Sequence, residues 1–310
     1  MIITVTLNPA VDKTLSVTNF STGALNRIES ITAEAGGKGV NVAKALTSLG
    51  ASCVAMGFLG GDSGDFIERA LADLGVLCDF VHVESPTRTN IKVQDVLTGI
   101  TTELNEAGAS VSGSALEALE KQLFDRAKTG DIVVLSGSIP PRMSPDIYGR
   151  WIEKLRARAV DVILDADGEA FRRGVLAGPT AVKPNLRELE TWSRRPIHLT
   201  KEVCVEARRL LEYGITRVLV SMGDRGAILV GSDGIYHSPC LPVRVGGTVG
   251  AGDAMTAALA VSLQRGASPE NTLRLATAAA TATVMAGRMG IFDPESIRAL
   301  LLKVQTEVLE

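Results

Sequence analysis

Cysteine is scarce and scattered in this chain of 310 residues: Cys53, Cys78, Cys204 and Cys240 form no CxxC pair. Such spacing excludes a zinc ribbon and a disulfide framework, and reads as reduced core thiols. Excess charge is also missing, with 32 Lys plus Arg against 35 Asp plus Glu and no blocks of one sign. Neither a nucleic-acid surface nor an acidic tail follows, so the expected partners are small molecules, with no nucleic acid and no membrane. No uncharged run of large apolar residues reaches membrane-spanning length, and nothing basic precedes the opening Met1-Ile-Ile-Thr-Val-Thr-Leu7. A cytoplasmic protein is expected. The phosphate loop G-x-x-x-x-G-K-[ST] is absent, and no G-x-G-x-x-G follows a strand, which excludes the two commonest nucleotide fingerprints. Internal repeats and low-complexity linkers are lacking too.

What is present is alternation. Short β-branched runs at residues 2–7, 52–58, 131–136, 161–165, 180–183 and 217–221 read as buried strands. Amphipathic segments such as 40–49, 66–74, 116–127, 145–157, 202–213 and 254–264 read as helices between them. The pattern predicts an α/β fold, a mainly parallel central sheet with helices on both faces and ligands at the carboxyl ends of the strands. Residues from about 11 to 35 and from about 88 to 104 break it, being rich in Thr, Val, Ile and Asn with near period-two alternation. As insertions between core elements, they are expected to pair into a small β-sheet lid on a single domain spanning 1–310.

Two glycine clusters carry the chemistry. Thr248-Val-Gly-Ala-Gly-Asp253 runs directly into an apolar helix. The first turn of a helix presents unpaired amides and a positive dipole end, and glycines let an anion approach closely. Asp253 there is either a general base beside a phosphoryl site formed by Gly250, Ala251 and Gly252, or simply a helix cap. The second cluster, Ala35-Gly-Gly-Lys-Gly-Val-Asn41, also enters a helix. Standing alone it would be read as a structural turn.

Seven motifs in order, however, resemble the ribokinase-like carbohydrate kinases of the phosphofructokinase B family. They are the two clusters together with Thr6-Leu-Asn-Pro-Ala-Val-Asp12, Thr87-Arg-Thr-Asn-Ile-Lys92, Ser136-Gly-Ser-Ile-Pro140, Lys183-Pro-Asn-Leu-Arg-Glu188 and Ser221-Met-Gly-Asp-Arg-Gly226. The resemblance implies a ribokinase-like fold and an ATP-dependent sugar-phosphate kinase. Its expected acceptor is fructose 1-phosphate, converted to fructose 1,6-bisphosphate, with tagatose 6-phosphate or the substrate of a 6-phosphofructokinase as alternatives; a non-catalytic sugar-phosphate sensor on the same fold would be expected to have lost the base or the amide loop, and both are intact. It further implies that Asp253 is the base and that Asp12, Gly36, Gly37, Lys38, Gly39, Asn41 and Ser138 surround the sugar. Arg88 and Arg27, the latter in the expected lid strand, would hold its phosphate. Lys183, Asn185, Ser221, Gly223, Gly226 and Thr248 would meet ATP, residues 276–282 would leave room for adenine, and Asn185 with Glu188 would organise Mg2+, often through water. K+ activation is left open, and a homodimer through the lid would remove exposed edges. Ala254 stands where many relatives carry Ser, and Asp165-Ala-Asp-Gly-Glu169 departs from the usual Asp-x-Ser-Gly-Glu, adding Asp167 without an evident purpose.

Overall fold

A computed structural model describes residues 1–309. Its larger sheet has ten strands in the order Glu307–Val308, Gly234–Ser238, Ala227–Gly231, Arg217–Ser221, Ala181–Val182, Asp161–Asp165, Ile132–Ser136, Ile2–Thr6, Cys53–Leu59 and Leu77–His82. From Arg217–Ser221 to Leu77–His82 every pairing is parallel, and the three strands beyond are antiparallel. All six strands expected from the sequence lie in the parallel part. Missing from that reading were Leu77–His82 and the three antiparallel strands: Leu77–His82 and Gly234–Ser238 are half-exposed and give no continuous apolar run, whereas Ala227–Gly231 is fully buried and was missed although its run is apolar.

Alternate strand residues feed two cores. Ile2, Cys53 and Ala55 face one layer, which contains the helices Lys38–Ser48, Ala251–Gln264 and Pro269–Ala286. Ile3, Val5, Val54 and Met56 face the other, which contains Ile147–Arg156, Gly168–Leu176 and Thr200–Leu211. In Ala251–Gln264 the whole run from Asp253 to Ser262 is buried. Small Ala side chains let it pack closely against Pro269–Ala286, and such a helix has no polar face to expose. Among the described residues, no helix is long and apolar enough to cross a membrane.

The two stretches that broke the alternation supply a second sheet of four strands, ordered Ile28–Gly36, Ala10–Val17, Arg88–Asp95 and Thr101–Asn105. Its register sets Ala10 opposite both Gly36 and Arg88, and Val17 opposite both Ile28 and Asp95. The first end touches the main sheet at the glycine cluster; the other projects away, with Ile28, Ile31, Leu97 and Ile100 exposed.

Candidate active site

Parallel strands end together, so Thr6, Ser136 and Asp165 stand in register at the carboxyl edge of the sheet. Asp165 is fully buried there, and its oxygens are held by Lys38 Nζ at 2.9 Å, Thr256 Oγ1 at 2.6 Å and Lys183 Nζ at 3.6 Å. Burial alone would push this carboxyl up, but the Lys183 and Lys38 ammonium groups outweigh it and hold Asp165 below the usual carboxylate range. Its neutralising role was missed from the sequence, although a carboxylate closing an apolar strand was a signal for it.

Asp253 lies beyond this cluster. The helix starts earlier than expected, with Gly250 as its cap at φ 84°, a left-handed conformation that suits glycine. Asp253 is therefore in the first turn and is not the cap. Its Oδ2 accepts the Asn41 amide at 2.8 Å. The carboxyl is pushed up to about 6, first by burial and then by the charge of Asp165, while Lys38, Asn41 and Lys183 pull the other way. The Ala251 amide turns back to the Thr248 carbonyl at 3.4 Å, whereas the amides of Gly252 and Asp253 have no backbone acceptor among the described residues. Gly252 has Lys183 Nζ against it, at 3.3 Å from where a Cβ would lie. A buried carboxyl, two open amides and a lysine thus converge on one spot.

Around the second glycine cluster the structure refines several expectations. Gly37 caps the helix Lys38–Ser48 at φ 102° and packs on Pro9 and Thr6. A Cβ at Gly36 would fall 2.6 Å from Asp12 Oδ2, so this glycine makes room for the carboxylate. Gly39 is a packing position: a side chain there would run into Thr6 Oγ1 and sit 3.1 Å from the Val5 carbonyl oxygen. Lys38, expected beside the sugar, bridges Asp165 and Glu188, the latter at 3.1 Å. Burial works against its charge, but Asp165, Glu188 and Asp253 raise its affinity for the proton well above the usual lysine value. Asn41 spends its amide on Asp253, and its Oδ1 is buried without a partner. Lys44, not anticipated, donates to the Ala35 carbonyl at 2.7 Å from a buried position and is lowered to about 8, chiefly by that burial.

On the small sheet, Asp12 accepts Asn90 Nδ2 at 2.8 Å and faces Lys92 Nζ at 3.4 Å. Arg88 donates to the Asn8 carbonyl through Nε and Nη2 and to the Glu106 carbonyl through Nη1, at 3.3, 3.1 and 2.7 Å. Burial lowers the guanidinium's proton affinity, and the charges of Asp12, Asp167 and Glu106 oppose that. Ser138 Oγ accepts the Asn8 side-chain amide at 3.2 Å, beside the same loop. Arg27 requires correction: it is exposed in the connection before Ile28–Gly36 and not in that strand. Seven register positions separate Ile28's partner Val17 from Ala10, the partner of Arg88, or roughly 23 Å at the rise of an extended strand. The two arginines therefore do not meet within one chain.

The remaining expected residues line one cleft of about 610 Å³ that contains Asn185, Ser221, Gly223, Gly226, Thr248 and Gly252. That size falls in the range of small-molecule sites. Its far wall is the helix Pro269–Ala286, where Thr277, Ala280 and Thr281 face the cleft while Ala276, Ala278 and Ala279 are packed away. Asn185 and Glu188 form a capping box, with Asn185 Oδ1 accepting from Glu188 N at 2.9 Å and Glu188 Oε2 accepting from Asn185 N at 2.8 Å. Among the described residues no group of three His, Cys, Asp or Glu side chains could hold a metal ion. Each Glu188 oxygen and Asn185 Oδ1 holds one contact and keeps a lone pair, so the pair fits a hydrated Mg2+ met through its water shell.

Comparison with known proteins agrees with this layout. The sequence profile of the pfkB family carbohydrate kinases matches residues 5–294. The chain is 36% identical over 304 residues to a 1-phosphofructokinase of Escherichia coli strain K12, covering 98% of this chain and 97% of that one. Phosphofructokinase-2 from Escherichia coli, solved in complex with substrates and products, superposes with a TM-score of 0.92 at 30% identity over 97% of this chain and 98% of that chain. The same enzyme has been solved in complex with potassium, with a TM-score of 0.92 at 28% identity, and as a tetrameric inhibited form, with a TM-score of 0.91 at 29% identity, each over 97% of this chain and 98% of that one.

Proposed function

The chain belongs to the pfkB family of carbohydrate kinases and is a sugar-phosphate kinase, and from that premise we propose that it transfers the γ-phosphoryl group of ATP to the C6 hydroxyl of fructose 1-phosphate. The products are fructose 1,6-bisphosphate and ADP. The observation that carries the transfer step is Asp253, buried in a helix first turn beside two open amides and pushed up to about 6. A base with that affinity is ionised at neutral pH, yet takes a proton more readily than a free carboxylate does.

In this reading the C6 hydroxyl gives its proton to Asp253 as its oxygen bonds to the γ-phosphorus, and the bond to the ADP oxygen breaks in line. The Gly252 and Asp253 amides and Lys183 stabilise the charge spread over the phosphoryl oxygens. Bound Mg2+ would neutralise part of the nucleotide's charge, and Asn185 and Glu188 would orient its water shell. ATP occupies the 610 Å³ cleft. Asp12 and Asn41 receive sugar hydroxyls. Three of the five N–H groups of Arg88 are spent on carbonyls, which leaves two for the C1 phosphate. The four-stranded sheet acts as a lid over the single domain. Its exposed apolar end, including Ile28, Ile31 and Ile100, supports a homodimer, the arrangement in which Arg27 would have a partner to reach. The potassium complex and the tetrameric inhibited form of phosphofructokinase-2 make K+ dependence and higher assembly worth measuring with the dimer.

The choice of fructose 1-phosphate rests on relatives named 1-phosphofructokinase. An ADP-release assay with fructose 1-phosphate, fructose 6-phosphate and tagatose 6-phosphate tests it. The highest kcat/KM is expected for fructose 1-phosphate; a higher value for either 6-phosphate would reassign the acceptor.

A further inference from the structure

Asn90 lies in the strand Arg88–Asp95 with its amide Nδ2 on Asp12 Oδ1 at 2.8 Å. A carboxylate can only accept, so this contact fixes which end of the Asn90 amide is nitrogen and which is oxygen. The oxygen, Oδ1, is buried and has no partner. Buried acceptors are nearly always paired, and an orphaned one needs an explanation.

The surroundings supply it. Strand alternation puts Arg88, Asn90 and Lys92 on one face. Arg88 bonds the Asn8 carbonyl, and Lys92 Nζ approaches Asp12 and Met289 Sδ at 3.4 and 3.9 Å. Both neighbours of Asn90 on this face thus touch loops of the main domain, and Asn90 stands between them, beside the Asp12 carboxylate for which Gly36 makes room. Asn41 repeats the device on the other side: its amide is on Asp253 and its Oδ1 is likewise buried and unpartnered. Each of the two acidic groups assigned to the acceptor thus orients an amide whose oxygen lacks a donor. A polyhydroxylated ligand carries such donors.

We propose that Asn90 is a specificity-determining residue whose Oδ1 accepts a hydrogen bond from one secondary hydroxyl of the acceptor sugar, with Asp12 holding the amide in the required orientation. This rests on the assignment of the acceptor as a ketohexose phosphate. A site built to receive a hydroxyl rejects the analogue lacking it, because the acceptor is then left unpaired.

The test is a cycle of enzyme and substrate changes, using fructose 1-phosphate and its 3-deoxy and 4-deoxy analogues with the parent, Asn90→Leu and Asn90→Thr. Threonine suits a strand and guards against misfolding of the leucine variant. The parent is expected to disfavour one analogue by roughly 10- to 100-fold in kcat/KM. In both variants that penalty should fall to within about threefold, the penalty on the other analogue should persist, and the KM for ATP should stay at the parent value. Parent-like penalties on both analogues in either variant would overturn the assignment, as would equal losses for both sugars and ATP. Should the parent fail to use fructose 1-phosphate at all, the acceptor assignment itself would fall, a result read from the parent alone.

Discussion

Replacing Asp253 by Asn separates chemistry from stability, and the two should move in opposite directions. The side chain keeps its shape and can still accept the Asn41 amide, but it cannot take a proton. kcat is expected to fall by about 10²–10⁴-fold, the scale of general-base catalysis, with both KM values within a few-fold of the parent. Stability follows from the same carboxyl. Its ordinary value is 3.8, and burial with the neighbouring Asp165 pushes it up to about 6. The folded state therefore holds this proton more tightly than the unfolded state between about pH 4 and pH 6. Stability from this group is present below that window and is lost as pH rises through it. Above pH 6 the ionised Asp253 costs the fold on the order of 3 kcal/mol. Asn carries no charge, so the variant should be more stable than the parent at pH 8, by up to about 3 kcal/mol, and the advantage should shrink towards pH 4. Denaturant unfolding at pH 4, 6 and 8, alongside steady-state kinetics, measures both effects. A kcat within a few-fold of the parent would refute the base, and a stability difference that does not grow with pH would refute the burial argument.

Three further outcomes follow from the contacts. Lys38→Met removes the ammonium that joins Asp165 to Glu188, so the KM for Mg-ATP should rise by roughly tenfold while the sugar-phosphate KM barely changes; steady-state kinetics with each substrate varied decides it, and the reverse pattern would return Lys38 to the sugar. Arg88→Ala should raise the sugar-phosphate KM by about 10- to 100-fold with little change for ATP. Arg88→Lys should not restore it, since one ammonium cannot serve the Asn8 and Glu106 carbonyls and a phosphate together. Gly39→Ala presses a methyl onto Thr6 and the Val5 carbonyl and should cost about 1–3 kcal/mol in chemical denaturation, with both KM values unchanged in the protein that remains folded.

Much of the fold was legible because parallel strands buried on both faces leave continuous apolar runs, and six were readable as such. Leu77–His82, at the sheet edge, and Gly234–Ser238, with a partly wet face, were not, since both have mixed sequences. Local chemistry marked the helix entrances at Gly37 and Gly250, because only a few residue types suit a tight turn with open amides. The same glycines could not reveal their separate duties. Gly39 looked like part of a ligand loop, yet its hydrogen faces Thr6, a residue more than thirty positions away.

The sequence by itself determined the α/β alternation, the family and the types of chemical group available, which depend on local pattern and composition. Tertiary structure alone decided the pairings, because they join residues far apart in the chain. Asp253 meets Asn41 across 212 positions, and Lys38 meets Asp165 across 127. Burial and charge at these meetings push Asp253 up to about 6 and hold Asp165 low. Two aspartates of one residue type thus acquire different proton affinities, a property of their surroundings that no local stretch of sequence contains.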